Sequence, residues 1–201
     1  MFQGELLTEI DIKTCFPTIL SATFCNSLEE RNLMQAWIGD SDFYRELYAL
    51  SEDKDKPFTE KRRKSFKRAF NSWINGEMRC RNIERVMAST FPILYKDICD
   101  IREKNFKDLG CRLMKIEADI ILTETLKRIW ENNRDIFALS VHDSIYCLER
   151  HAGLFKAKLT QSFERVLGIC PKLHVNLPNT TPPIIETSAA EIDEMALSTA
   201  A

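Results

Sequence analysis

Two aspartates lie at the ends of short apolar segments that are far apart in the chain. Asp11 lies near the end of residues 6–12, which alternate between apolar and polar side chains, and Asp143 separates the apolar runs 136–141 and 145–148. Strands of this kind usually neighbour one another in the sheet of a mixed fold, so the two carboxylates could converge. Mg²⁺ prefers hard oxygen ligands and often takes only one or two protein carboxylates besides substrate phosphates. The pair therefore predicts a divalent-metal site suited to phosphoryl chemistry.

A basic segment between the two aspartates offers a partner for phosphate. Arg63, Lys67 and Asn71 recur at four-residue spacing, which places them along one stripe of a helix. Residues 61–85 carry nine Lys or Arg against two Glu, although the formal net charge of the whole chain is only -2. The apolar residues that would seat this helix on the rest of the protein are Phe66, Phe70, Trp73 and Ile74. The stripe suits a triphosphate.

Each of these features also has an ordinary structural explanation. An aspartate at a strand end is usually a cap or turn residue. A lone histidine such as His142 is more often a hydrogen-bonded structural residue than a catalytic one, and a basic helix is usually a solvated face. Single residues therefore leave both interpretations open, and only order and spacing together favour a site.

Hydrophobic periodicity predicts the elements that must position these residues. The predicted strands cover residues 6–12, 136–141, 145–148 and 173–177, with His142, Asp143 and Ser144 at the turn of a hairpin. The first predicted helical stretch runs from Thr18, after Pro17, to Leu50, with an interruption near 39–41. The second runs from Thr59 to Ile74. The third runs from 82 to 132 with breaks at 91–92 and at Gly110, and the last from 153 to 167. Residues 1–177 would form one domain, and residues 178–201, with three prolines, a disordered tail.

Composition excludes several classes of protein. Hydrophobic residues make up 44% of the 201 residues and charged residues 29%, which is typical of a soluble globular domain. No apolar run approaches the roughly 18 residues of a spanning helix, so no membrane partner is expected. The seven cysteines include no Cys-x-x-Cys pair, which indicates neither a disulfide framework nor a zinc site. We expect an intracellular protein.

In their order and spacing, five segments of the chain resemble the motifs of one enzyme family. The segments are Asp-Ile-Lys-Thr-Cys-Phe-Pro-Thr-Ile-Leu at 11–20, Leu-Met-Gln-Ala-Trp-Ile-Gly-Asp-Ser-Asp-Phe-Tyr at 33–44, Arg63-x3-Lys67-x8-Gly76, Glu-Ala-Asp-Ile-Ile at 117–121 and Val-His-Asp-Ser at 141–144. The first, third and fifth are similar to motifs A, B and C of the family A DNA polymerases and the related single-subunit RNA polymerases. The resemblance extends over about residues 5–177.

The resemblance implies an α+β fold, the right-handed polymerase palm. A small antiparallel sheet with helices would form the palm, and a helical fingers subdomain would occupy roughly residues 28–90. Asp11 and Asp143 would hold two Mg²⁺ ions, with Mn²⁺ as a possible substitute, and the backbone carbonyl of Ile12 would be a further ligand. The reaction would be in-line attack of a primer 3′-hydroxyl on the α-phosphate of a nucleotide.

The resemblance also assigns roles to side chains. Arg63 and Lys67 would bind the triphosphate, Lys67 would donate a proton to the leaving pyrophosphate, and His142 would lie near the primer terminus. Arg68 is a candidate nucleic-acid contact, with a purely solubilising role as its alternative. The implied partners are a DNA primer-template and dNTPs.

The chain departs from the family pattern at several nucleotide-binding positions. Phe16 stands where family A DNA polymerases usually carry Glu, and a bulky apolar side chain there should crowd a ribose 2′-hydroxyl, which favours dNTPs. Ser144 stands where the DNA polymerases carry Glu, a choice closer to the RNA polymerases. Asn71 and Asn75 replace aromatic residues of motif B. A primase or small RNA polymerase that uses rNTPs therefore remains the alternative enzyme.

The family also places a thumb before motif A, whereas here motif A begins within the first dozen residues. We expect the chain to be a fragment of a longer protein, to receive thumb function from a partner chain, or to act as a minimal distributive enzyme. The alternative of another class is a catalytically inert polymerase remnant that binds nucleic acid through its basic helix. By analogy alone, the setting would be the cytoplasm of a cell or of a host cell, with a phage or mobile element as source.

Overall fold

The computed structural model describes residues 5–76 and 80–177, and the predicted tail at 178–201 lies outside the described residues. A four-stranded antiparallel sheet carries the N-terminal segment at its interior. The strands are β1 (Leu7–Ile12), β2 (Ala138–Val141), β3 (Ser144–Leu148) and β4 (Leu173–Asn176). Their order is β2-β3-β1-β4, so β1 pairs with β3 on one side and with β4 on the other. The predicted strands and hairpin are confirmed, except that Ser144 belongs to β3 rather than to the turn.

Helices surround this sheet. They are α1 (Cys15–Thr23), α2 (Leu28–Asp40), α3 (Phe43–Ala49), α4 (Glu60–Ile74), α5 (Arg81–Thr90), α6 (Pro92–Lys104), α7 (Asp108–Ala118), α8 (Arg128–Asn132) and α9 (Ala152–Leu167). A π-helical segment, Asp119–Lys127, joins α7 to α8, and a single 3₁₀ turn, Glu149–His151, precedes α9. Among these helices none is both long and apolar enough to cross a membrane, a result that concerns residues 5–76 and 80–177.

Alternation along β1 determines which face of the sheet is buried. Thr8, Ile10 and Ile12 are fully buried, whereas Glu9 and Asp11 are only partly buried on the opposite face. Helix α9 packs on the sheet through its own buried side chains, among them Phe155 and Phe163. Because the side-chain period of a strand is two, the same packing that buries Ile10 and Ile12 holds Asp11 on the open face.

Helix α4 has the boundaries and the buried side that its sequence predicts. The hydroxyl of Thr59 accepts a hydrogen bond from the Arg62 N–H, as an N-cap does, and Gly76 follows the helix end with a left-handed φ of 72°. The apolar side chains predicted to seat the helix, Phe66, Phe70, Trp73 and Ile74, are all buried. Phe70 meets Phe43 of α3 edge to face, with ring centroids 5.3 Å apart. This packing fixes the polar stripe of α4 relative to α3.

The first predicted helical stretch is wrong in its start and in its continuity. Helix α1 begins at Cys15 and includes Pro17 in its first turn. Proline is tolerated there because the first N–H groups of a helix have no partner within the helix. The predicted interruption near 39–41 is confirmed, since α2 ends at Asp40. A second break at residues 24–27 was not predicted, and it ends at Ser27, whose hydroxyl caps α2 by accepting from the Glu30 N–H.

The long stretch from 82 to 132 breaks at only one of its two predicted positions. The break at 91–92 is confirmed, with Pro92 as the first residue of α6. The predicted break at Gly110 is wrong, because the chain leaves the helix at residues 105–107 and Gly110 lies inside α7. A Cβ at Gly110 would stand 2.5 Å from Oδ1 of Asn75, so this glycine allows α7 to approach the end of α4 closely.

Candidate active site

Asp11 lies on β1, and Asp143 lies in the turn that leads into the neighbouring strand β3. Asp11 on β1 lies opposite Ser144 of β3, and the backbone N–H of Ile12 donates to the carbonyl of Asp143 at 3.0 Å. Asp143 therefore lies next to Ile12, one position beyond the pair formed by Asp11 and Ser144. The structure therefore places the two chain segments next to each other, as the sequence predicts. Ile12 itself is fully buried, so only its backbone is available at this site.

Two non-glycine residues in the left-handed region of backbone space flank the aspartates. Thr14, at the start of α1, has a φ of 53°, and His142, in the two-residue turn of the β2–β3 hairpin, has a φ of 50°. Such conformations cost free energy for a residue with a Cβ and persist where the surrounding structure requires them. The chain therefore turns sharply at Thr14, shortly after β1 ends, and at His142, directly before Asp143.

A hydrogen-bond network holds the open face of the sheet beside Asp11. The carboxylate of Glu9 accepts from the Ser144 hydroxyl at 2.9 Å, the Tyr146 hydroxyl at 2.8 Å and the Asn176 amide at 2.8 Å. The bond from Asn176 contributes most to lowering the pKa of Glu9, followed by those from Tyr146 and Ser144, against the opposing effect of burial. Sequence reasoning noted only that Glu9 and Asp11 share a face. The network ties β1, β3 and β4 together at the level of Asp11.

Asp11 has two further neighbours that the sequence analysis did not single out. Its carboxylate forms an ion pair with the ammonium of Lys13. On its other side it lies directly opposite His174 of β4, whose Nδ1 is 2.6 Å from the Asn176 side-chain oxygen. Cross-strand neighbours lie about 5 Å apart at Cβ, so His174 borders the same face as Asp11. The strand at 173–176 could be predicted, but its pairing with β1 could not.

A cavity of about 360 Å³, called here the Asp143 cavity, brings together most of the predicted site residues. The predicted residues that line it are Phe16, Lys67, Asn71, His142 and Asp143. Sequence reasoning did not place five of the lining residues in the site, namely Cys15, Tyr44, Asn75, Met114 and Glu117. Tyr44 and Glu117 both lie within the segments that resemble the polymerase motifs, but neither has a role predicted from the sequence. Lys67 and Asn71 thus face the same space as Asp143.

The other predicted residues do not line this cavity, and they are Asp11, Ile12, Arg63 and Arg68. Arg63, one turn before Lys67 on α4, pairs with Asp42 and lines a separate pocket of about 190 Å³, called here the Arg63 pocket. Hydrogen bonding to Asp42 is the main cause that raises the pKa of Arg63. Arg68 is exposed on α4. The predicted stripe is therefore divided between two pockets.

Burial raises the pKa of several acidic groups in the Asp143 cavity. For Glu117 the largest cause is desolvation, with the nearby Asp143 acting in the same direction and a hydrogen bond with Cys15 opposing it. Burial likewise raises the pKa of the Cys15 thiol and of the Tyr44 hydroxyl. The floor of the cavity is thus a poorly solvated environment in which a negative charge is costly.

Two amides in this cavity have buried oxygens without a hydrogen-bond partner among residues 5–76 and 80–177. They are Oδ1 of Asn71, in the last turn of α4, and Oδ1 of Asn75, the residue that caps the end of α4. A buried acceptor that makes no hydrogen bond costs free energy, which a donor on a ligand would recover. The cavity is therefore ready to bind a molecule with polar hydrogens.

The donor set fits Mg²⁺ better than a soft or fully protein-bound metal. Asp11 and Asp143 offer hard carboxylate oxygens, and two carboxylates suffice for an ion that completes its shell with phosphate and water. No group of three or more His, Cys, Asp or Glu side chains able to hold a metal occurs within residues 5–76 and 80–177. A closed structural metal site is therefore not present in that part of the chain.

Comparison with known proteins gives one informative likeness. No family model and no curated protein matches the sequence. Among solved structures, the chain is similar to the POL domain of Pol1 from M. smegmatis, determined as a complex with a DNA primer-template and dNTP, with a TM-score of 0.61 and 14% identity. The match covers 86% of this chain and 39% of that one, so the chain spans well under half of the matched structure.

At this level of identity the likeness shows the fold alone. The mixed helical fold with a small antiparallel four-stranded sheet is similar to the fold of that polymerase domain. The α+β fold expected from the motifs agrees with it at this coarse level.

Proposed function

We propose that the chain is a template-dependent nucleotidyltransferase, a DNA polymerase that adds dNTPs to a DNA primer. The observation that carries the proposal is the pairing of β1 with β3, which brings the Asp143 turn against the end of β1 that carries Asp11, together with a cavity lined by both Asp143 and Lys67. Carboxylates for metal and a cation for phosphate are the two requirements of phosphoryl transfer, and three separate segments of the chain supply them.

In this proposal the sheet with α9 and the adjoining π-helical segment is the palm, and the helices between roughly 28 and 90 are the fingers. Helix α4 is the fingers helix that faces the incoming nucleotide. The polymerase-like fold supports this division.

Asp11 and Asp143, with the carbonyl of Ile12, would hold two Mg²⁺ ions, or Mn²⁺ in their place. Bound there, the metal would supply charge neutralisation at the reacting phosphate and a more acidic primer hydroxyl. The fit rests on the hard-oxygen donor set and on the position of Asp143 at the cavity.

The remaining residues would bind and orient the substrates. Lys67 would contact the phosphates and donate a proton to the leaving pyrophosphate. Phe16 would form an apolar wall that leaves a ribose 2′-hydroxyl crowded and unpaired. The amide of Asn71, with its unpartnered oxygen, would accept a hydrogen bond from the nucleotide. His142 would lie at the primer terminus.

Primer extension tests the proposal directly. A labelled primer on a DNA template is incubated with Mg²⁺ and either dNTPs or rNTPs, with the Asp143→Ala variant as control. We expect extension by the wild-type chain with dNTPs and none by the variant. Preferential use of rNTPs would replace the DNA polymerase with the primase or small RNA polymerase.

The candidate function of another class is a nucleic-acid-binding module without catalysis. The ion pair between Lys13 and Asp11 favours it, because it engages one of the two carboxylates that a metal would need. A chain that binds the primer-template but extends it with neither nucleotide type, in Mg²⁺ or in Mn²⁺, would establish this function and reject the polymerase.

A further inference from the structure

The Arg63 pocket is strongly cationic, and three separate segments contribute its charges. Lys13 comes from the turn after β1, Arg63 from α4 and Lys172 from the residue before β4. The carboxylate of Asp42 is the acidic group that lines the same pocket. Three cations against one carboxylate leave an excess of positive charge in a concave space, which is the electrostatic signature of an anion site.

The two lysines of this pocket have exchangeable partners, whereas Arg63 is held by Asp42. Lys13 pairs with Asp11, and its side chain is 43% exposed. Lys172 donates from Nζ only to the backbone carbonyl of Ser41, at 3.2 Å. The Lys13 N–H donates to the Lys172 carbonyl at 2.9 Å, so the two lysines are held side by side by the backbone. Their ammonium groups can therefore turn to a ligand without any change in the fold.

The Arg63 pocket adjoins the Asp143 cavity along three walls. Thr14 lines the pocket and Cys15 the cavity, Phe43 lines the pocket and Tyr44 the cavity, and Arg63 lies one helical turn from Lys67. Adjacent residues of the same three stretches therefore line the two spaces, as a single ligand that occupies both would require. The mixed polar and apolar cavity suits a nucleoside, and the cationic pocket suits a chain of phosphates.

We propose that the Arg63 pocket binds the polyphosphate of the nucleotide, with Lys13 and Lys172 as phosphate-binding residues in addition to Arg63. This inference rests on the proposed function for the identity of the ligand. It makes the C-terminal strand of the sheet part of the nucleotide site, because Lys172 directly precedes β4. It also accounts for the separation of Arg63 from Lys67, since the two would hold different phosphates of one tail.

Binding of inorganic tripolyphosphate to the full chain, measured by calorimetry in EDTA without metal, tests the pocket apart from catalysis. Lys172→Gln and Lys13→Gln remove one charge each, and Lys156→Gln, on the exposed side of α9, removes the same charge outside the pocket. We expect each pocket variant to weaken binding about fivefold and the control to change it less than about twofold. Equal affinity for Lys172→Gln and wild type, or no binding of tripolyphosphate at all, would overturn the inference.

Two further arms separate this inference from the proposed function. Pyrophosphate and dATP should compete with tripolyphosphate, whereas deoxyadenosine, which lacks phosphate, should not. If the wild type extends primers while Lys172→Gln alters neither KM nor binding, the pocket assignment fails and the polymerase stands. If extension fails while the lysine variants weaken tripolyphosphate binding, the pocket stands as a polyphosphate site and the polymerase is rejected.

Discussion

The Asp143 cavity and the Arg63 pocket share three stretches of chain, yet they treat charge in opposite ways. In the cavity, burial raises the pKa of Glu117 and of Cys15, so negative charge is disfavoured there. In the pocket, Asp42 stabilises the charged guanidinium of Arg63 and raises its pKa. A poorly solvated cavity can discriminate by shape and hydrogen bonds, and an open cationic pocket supplies attraction. Polar side chains that repeat along one helix can therefore serve two different environments.

The largest expected effect concerns the carboxylate that lines the Asp143 cavity. Asp143→Ala should lower the rate of primer extension at least about a thousandfold, because the carboxylate proposed to hold the metal is lost. The fold should persist, since the contact of Asp143 with Ile12 uses its backbone carbonyl. Single-turnover extension and thermal unfolding should be measured together. Extension at the wild-type rate would show that the carboxylate pair is not the catalytic site.

Lys67→Ala should have the next largest effect, because it removes the cation of the Asp143 cavity that faces the reacting phosphates. We expect kcat/KM for the dNTP to fall about a hundredfold, from weaker phosphate contact and a lost proton donor. Lys67→Arg is the matched control, which keeps the charge and should recover part of the loss in KM. A higher activity in Lys67→Ala than in wild type would contradict the assigned role.

Phe16→Ala tests discrimination by shape in the Asp143 cavity. Removal of the aromatic wall should raise the relative use of rNTPs over dNTPs by about tenfold, measured as the ratio of the two kcat/KM values. The same substitution should leave tripolyphosphate binding unchanged, because Phe16 does not line the Arg63 pocket. An unchanged nucleotide ratio would remove Phe16 from the list of specificity residues.

Asp42→Ala tests charge in the Arg63 pocket through stability. Asp42 caps α3 by accepting from the Tyr44 N–H at 3.1 Å and pairs with Arg63, so its loss should lower the free energy of unfolding by about 1–2 kcal/mol. Urea unfolding measures the change. Asp42→Asn, which keeps the cap but not the charge, should lose less, and equal losses would assign the whole effect to the ion pair.

Glu117→Gln should have the smallest effect, and unlike Asp42→Ala it should stabilise the fold. Because the pKa of Glu117 is raised in the fold above its ordinary value of 4.5, the wild type loses stability as pH rises from below that value through the folded pKa. The variant, which cannot ionise, should therefore gain relative to wild type as pH rises, with a midpoint about 2 °C higher at neutral pH. Thermal scans at pH 4 and pH 7 give the comparison. A variant that is less stable than wild type at pH 7 would show that the cavity stabilises the carboxylate.

Local sequence accounts for the elements on which the site is built. The alternation of β1, the Thr59 cap of α4 and the Gly76 stop each depend on residues within one strand or one helical turn, and all three predictions are confirmed. The order of the motif-like segments predicted a polymerase-like fold, and the likeness to a solved polymerase domain agrees with it. The pairing of β1 with β3, which brings the segments of Asp11 and Asp143 together, followed because two short apolar strands in a mixed fold tend to pair.

Tertiary packing decided which side chains share a space. Gly110 looks like a helix break in sequence, yet it lies inside α7 because Asn75, from a helix far earlier in the chain, packs against it. The division of Arg63 from Lys67, and the presence of Glu117 and Lys172 beside the site, depend on how α4, α7 and β4 lie against the turn after β1. Periodicity and capping are local, so one chain carries that information by itself. The lining of a cavity depends on contacts between segments a hundred or more residues apart, such as Lys172 and Ser41, which only the folded chain brings together.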